Sequence, residues 1–463
     1  MAGQPDRDLA RAGHAARVNP DASASRGATP GADRSSDSYL PEHGNGGYRV
    51  LHYDLDLDYR VVTNRLAGRA GITAVAAQPL SRFTLDLGRL RVQDVRVDGR
   101  PAKYAHRPDK LQIKPERPIG AGDTFRVEIR YAGKPVPISG RWGDLGWDEL
   151  TDGVLVASQP NGSPSWFPCD DQPGAKATFR VAVTTSSPYT VLVTGDPVLR
   201  RRGAGSTTWV YERHEPTSPY LMSVQIGRYE MVDLTVGAVV QRAAIPPALR
   251  GLVTHDFGRQ GQIMTTLQRL FGPYPFREYV VVVADDDLDD PVEAQGMAVF
   301  GRNHVDGRRT HERLVVHELA HQWFGNSLTV ADWRHIWLNE GFATYAEWLW
   351  SGVCGDLPAD ALAAQWYARV AARPRDVIVA DPGVDRMFDP LVYKRGALTV
   401  HAVRKKVGEE SFFALLRAWV AEHRHATVTT EQFRSHAQRF AHEPLDDLFA
   451  AWLDSPALPP LPR

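Results

Sequence analysis

The chain has 463 residues, 43% of them hydrophobic and 24% charged, which allows two or three domains with apolar cores and is the composition of an ordinary soluble protein. Its 54 Lys and Arg offset 55 Asp and Glu, so no global field favours nucleic acid or an anionic membrane, and any partner must be argued from a local site. Two cysteines outside any CxxC pair exclude a disulfide framework, and the lack of an apolar run of about 18 residues excludes a membrane-spanning helix.

Residues 1–43 are rich in Ala, Gly, Ser, Pro, Asp and Arg and almost free of large apolar side chains. Such a segment buries too little surface to offset its ordering entropy, and it reads as a disordered tail. It has no apolar signal-peptide core either, so a cytoplasmic location is expected. Residues 44–231 carry short alternating runs such as HYDLDLDYRV, TFRVEIRYAG and TFRVAVTT between Gly, Pro, Asp and Asn, the texture of a β-rich domain. Residues 232–463 turn to helical periodicity over 255–270, 308–324, 337–351, 358–371, 395–407 and 409–422. One apolar run, EYVVVVAD at 278–285, reads as a buried strand. The fold class is therefore α+β: a β-rich N-terminal domain, then a mainly helical one. Cys169 and Cys354 read as free thiols.

One segment carries chemistry. In HELAHQWFGN (317–326), His317 and His321 are four apart, so a helix aims both imidazoles from one face at one point. Glu318 lies about 100° around the helix, placed to reach a water held there. Two histidines leave a zinc ion short of ligands. Glu340, in WLNEGFATY on the next expected helix, supplies a third, and three protein ligands plus one open position is the catalytic pattern. Glu347, two turns further on, is a candidate partner for a ligand histidine. Trp323, Phe324, Trp333 and Trp337 read as core.

With eighteen residues between His321 and Glu340, HELAHQWFGN and NEGFATY resemble the aminopeptidase N family of gluzincin zinc metallopeptidases. WFPCDDQPGAKATF (166–179), FGPYPF (271–276) and VYKRGA (392–397) are similar to further segments of that family, and the likeness runs from about residue 45 to the end. The resemblance implies a saddle-like β domain followed by a thermolysin-like catalytic domain, without the C-terminal helical domain of larger relatives. It also implies one Zn2+ on His317, His321 and Glu340, Glu318 as general base, and Tyr393 as the donor to the oxyanion. Taken alone, Tyr393 would read as a packed aromatic.

For recognition of a free amine, the resemblance points to Glu293 in DPVEAQGMAVF (290–300), where Asp290, Pro291, Val292 and Ala294 depart from the family's Gly-Ala-Met-Glu-Asn. Gln159 matches a family Gln-x-Glu segment, and Asn161 stands in place of its glutamate. Gln159, Met297 and Tyr393 are expected around the first substrate residue. The acidic run DDDLDDP (285–291) reads as a solvated loop that can add negative potential. The expected activity is removal of single residues from peptides with a free N-terminus. A thermolysin-like endopeptidase and a catalytically silent binding module are the alternatives. Neither nucleic acid nor membrane is an expected partner, and the oligomeric state is open.

Overall fold

The computed structural model of the protein describes residues 27–235 and 237–462. Alternating apolar residues in the first half build an eight-stranded sheet. Its centre is formed by β1 (Tyr48–Arg60), β2 (Arg65–Ala76), β3 (Thr124–Gly133), β4 (Ala177–Ser186) and β5 (Ser206–Thr217), in the order β5-β4-β1-β2-β3. β1 shows why the sheet forms. Tyr53, Leu55, Leu57 and Tyr59 alternate inward and are buried, while the residues between them are half-buried or exposed. β1 runs parallel to β4, with Leu55 opposite Val181, and antiparallel to β2. The inward side chains join a core that includes Trp147, Trp166 and Phe167.

The second half packs helices on a five-stranded sheet. Its order is Glu230–Thr235, Val240–Ile245, β6 (Glu278–Val283), β8 (Met297–Phe300) and, at the edge, β7 (Val292–Ala294). The run EYVVVV forms the middle strand β6, and every valine in it is buried. Three helices matter for the site: α1 (Glu312–Ala320), α2 (Trp337–Cys354) and α3 (Pro390–Val407). α2 is apolar on nearly all sides and buried from Trp337 to Trp350, as a helix at the centre of a domain must be. It stops at Gly355, whose φ of 97° is open to glycine at little cost.

Several expected helices differ in extent. Residues 255–270 form two helices, Arg250–Asp256 and Gln260–Phe271, interrupted around Gly258. The helix expected at 395 begins at Pro390, because Asp389 caps it by accepting from the Leu391 N–H at 2.8 Å and proline suits the first turn. This puts Tyr393 on a helix rather than in a loop. A helix at Thr430–Gln438 was not expected at all, although Thr429 and Gln432 form its capping box.

Residues 1–26 of the expected tail lie outside the described residues. Residues 29–43 do not behave as a tail. Thr29–Pro30 pairs with Leu80 and Arg82, and Asp37 is buried, accepting from the backbone of Tyr39, Leu40 and Trp333. Ser38 donates twice to Asp332, at 2.9 and 2.6 Å, and the Tyr39 hydroxyl accepts from the Gly383 N–H at 2.8 Å. This strap is polar because its partners are polar groups about 300 residues away, which no local composition window contains. No helix among the described residues is long and apolar enough to cross a membrane. Cys169 is buried, Cys354 half-buried, and both are free thiols.

Candidate active site

α1 presents Val315, Val316, Leu319 and Ala320 to the core and ends at His321, so both histidines sit at its buried C-terminal end. The chain leaves through Gly325, whose φ is 122° and where an added Cβ would lie 3.2 Å from His321 Nδ1, leaving little room for a side chain. α2 then returns and brings Glu340 against α1. Glu340 Oε2 lies 3.4 Å from His317 Nε2 and 3.5 Å from His321 Nε2. Each histidine is fixed through its other nitrogen: His317 Nδ1 donates to Glu347 at 2.8 Å, and His321 Nδ1 donates to the Phe324 carbonyl at 3.0 Å. Both Nε2 lone pairs therefore face the Glu340 carboxylate.

The donor set fits zinc. Ligands about 2.0–2.1 Å from a tetrahedral metal lie roughly 3.3 Å apart, close to the spacings found here. The electrostatics agree. Burial disfavours a charged His317, yet the carboxylates of Glu340 and Glu347 outweigh burial and raise it to about 9. Burial likewise opposes charge on His321, which Glu293 and Glu340 raise to about 10. Burial would also keep Glu340 protonated, but the two imidazoles hold it down at about 2. The field at this point favours a cation.

Glu318, adjacent in the chain, is buried and pushed up to about 7, chiefly by that burial. Its Oε2 has no hydrogen-bond partner among the described residues. A buried carboxylate without a protein partner, beside a metal-ready triad, is available to a molecule that enters the site.

Glu293 completes the cluster. Its carboxylate, with those of Glu318 and the imidazole of His321, offers ligand atoms all within 4.8 Å of one another. It comes from edge strand β7, so the outer rim of the sheet borders the cleft. The β domain contributes Gln159, whose Nε2 donates to Glu293 Oε1 at 2.8 Å. Tyr393 stacks on His317, with ring centroids 6.1 Å apart and planes 14° from parallel, and desolvation of its half-buried phenol holds it well above its ordinary pKa, so it stays a donor.

Glu347 is the partner of His317 and is itself approached by Lys394 at 4.0 Å. Asn161 lies in the same turn as Gln159 but bonds to His43 of the strap. Met297 does not reach the cleft. It stands opposite Ala294 in the β7–β8 ladder, and pleating sends both to the face away from Glu293, into a cluster with Leu155, Val280 and Val282. Within the acidic run, Asp286 is used structurally, accepting from the backbone and hydroxyl of Thr151 at 2.9 and 2.7 Å.

Two contributors were not anticipated. Gln322 clamps the β7–β8 hairpin to the end of α1, donating to the Ala294 and Met297 carbonyls and accepting from the Gly296 N–H at 2.7 Å. A polar residue directly after His321 in an apolar run was its signal. His43 had none, because its strap had been read as tail.

Comparison with known proteins identifies the family and agrees with the fold. Residues 258–452 match the profile of the Peptidase family M1 domain, and residues 49–221 that of the Peptidase M1 N-terminal domain. An M1 zinc metallopeptidase from Deinococcus radiodurans, a mutant bound to a Tyr-Ser-Ala substrate, superposes with a TM-score of 0.84 at 31% identity, over 92% of this chain and 99% of that one. Native yeast LTA4 hydrolase shares the fold, with a TM-score of 0.76 at 20% identity, over 90% of this chain and 69% of that one. Aminopeptidase M1-A of Oryza sativa is 26% identical over 330 residues, 66% of this chain. This chain spans only 37% of that relative's length.

Proposed function

Because the chain belongs to peptidase family M1, we propose that it is a zinc-dependent aminopeptidase that removes single residues from the N-termini of peptides. The division into domains near residue 231 is part of the same reading. The observation that carries it is the closeness of Glu293 to Glu318 and His321. In any amino acid the α-nitrogen and the carbonyl carbon are about 2.5 Å apart. A positively charged amine held by Glu293 therefore leaves the first peptide carbonyl, and no later one, beside the triad. A chain extending further toward its N-terminus would bury the Glu293 carboxylate without a cation, which argues against an endopeptidase.

His317, His321 and Glu340 would hold one Zn2+, and when bound it supplies Lewis acidity toward the carbonyl and the attacking water. The remaining steps belong to side chains of this protein. Glu318 takes a proton from the water and returns it to the departing nitrogen, and the burial that raises its pKa favours its holding that proton between the two steps. Tyr393 donates its hydroxyl proton to the carbonyl oxygen as charge builds there. Gln159 fixes one oxygen of Glu293 and so leaves the other for the substrate amine. Glu347 keeps a proton on His317 Nδ1, which reserves Nε2 for the metal.

The test compares one peptide with its N-acetylated form, with and without a zinc chelator. Stepwise loss of residues from the free peptide alone, abolished by the chelator, is expected. Internal cleavage of the acetylated peptide would make the protein an endopeptidase, and no cleavage of either by zinc-loaded protein would leave a binding module.

A further inference from the structure

The strap is tied down on both sides of the cleft. On one side Asp37 accepts from the N–H of Trp333, four residues before α2, the helix that carries Glu340. On the other, residues 44 and 45 are locked into the β domain. Asp86 accepts from the Gly44 N–H and the Asn45 amide, Asp170 accepts from the Asn45 N–H, and Lys110 donates to the Gly44 carbonyl. Between these anchors His43 has little freedom.

Its two ring nitrogens have different neighbours. Nδ1 lies 3.6 Å from the carboxylate of Asp171, a buried acid that suits a proton at that position. In the neutral ring Nε2 is then an acceptor, and it receives the Asn161 Nδ2 proton at 2.8 Å; burial opposes charge on His43 but Asp171 outweighs it and raises its pKa, so this arrangement belongs to mildly alkaline pH. With its nitrogen held by His43, Asn161 has its Oδ1 turned the other way. That oxygen accepts no hydrogen bond from the described residues, and it is not sealed from solvent. It belongs to the turn whose Gln159 bonds to Glu293.

We propose that His43 is a positioning residue of the substrate site, orienting the Asn161 amide so that its carbonyl oxygen serves as a neutral second acceptor for the substrate's α-ammonium beside Glu293. The chain Asp171–His43–Asn161 does for an amide what Glu347 does for His317: a partner on one side of a group decides which atom it shows on the other. The strap is therefore part of the recognition surface as well as a tie between domains. This inference rests on the aminopeptidase reading, since it needs an ammonium to recognise.

The experiment measures binding of L-tryptophan and N-acetyl-L-tryptophan to the zinc-loaded full chain by calorimetry at mildly alkaline pH. The readout is the ratio of the two affinities. His43→Ala should lower the preference for the free amine by about tenfold, the scale of one hydrogen bond to a charged group, with little change for the acetylated form. His43→Gln, which offers an acceptor in the same region, should recover most of it. Asn161→Ala should match His43→Ala, and the double variant should lose no more than Asn161→Ala alone, because one residue acts through the other. A folded His43→Ala protein with an unchanged ratio, or additive losses in the double variant, overturns the proposal. If His43→Ala does not fold, Asn161→Ala and His43→Gln carry the same comparison. Equal binding of both probes by the wild-type protein removes the amine anchor itself, and this inference with it.

Discussion

At the scale of single residues, the site is built from groups whose second contact fixes their first. His317 and His321 each have one nitrogen occupied by protein, and Glu293 has one oxygen occupied by Gln159. Neither Glu318 Oε2 nor the Tyr393 hydroxyl has such a partner among the described residues, which suits the roles proposed for them. Glu318→Gln should keep its zinc, measured by metal analysis, and lose about 10²–10⁴-fold in kcat. Retained turnover would remove it as the base. Tyr393→Phe should lower kcat by about 10²–10³-fold with KM within a few-fold, because its hydrogen bond strengthens only as the carbonyl oxygen gains charge. A rise confined to KM would instead assign Tyr393 to binding. His317, His321, Glu340 and Glu318 stood out in the sequence by their spacing and Glu293 by the family resemblance, and the structure brings the five together. Met297 was misread for a physical reason: sequence distance from Glu293 does not say which face of a pleated strand a side chain takes.

At the scale of elements, α2 and α3 cross where each has a glycine. A Cβ on Gly341 would lie 2.9 Å from the backbone of Gly396, and one on Gly396 would lie 3.0 Å from that of Gly341. The contact is backbone on backbone, and it holds Glu340 and Tyr393 on facing helices at the same depth. Gly341→Val should therefore cost about 1–3 kcal/mol or more in denaturant unfolding and weaken zinc binding as well. Wild-type stability would mean the helices can part without loss. Beneath the strap, Asp170 is raised to about 7, first by burial and then by Asp86. Its folded form holds a proton that the unfolded chain releases near 3.8, so the associated stability is full below 3.8 and is lost as pH rises to about 7. Asp170→Asn cannot ionise. Its Tm relative to wild type should rise across that window, and a flat difference would show that Asp170 titrates normally.

At the scale of the whole molecule, the two halves are joined by polar ties. Lys176 of the β domain donates to the carbonyls of Asn326, Ser327 and Ala426 and has no carboxylate partner among the described residues, and its burial lowers it to about 7. Lys176→Met would strand those carbonyls, costing about 1–3 kcal/mol. Calorimetry should show a lower Tm, with the halves unfolding as separate transitions, whereas an unchanged single transition would place the tie elsewhere. The sequence by itself determined the α+β class and singled out His317, His321, Glu340 and Glu318, because periodicity and fixed spacing are properties of short stretches of chain; Glu293 came from the family resemblance. Tertiary structure alone decided that Met297 faces away, that Gly341 and Gly396 meet, and that the strap closes over Asn161. The face of Met297 is set by its strand pairing with Ala294 and Val280, and the other two facts by contacts between residues 55 and 118 positions apart, which leave no pattern in any local window.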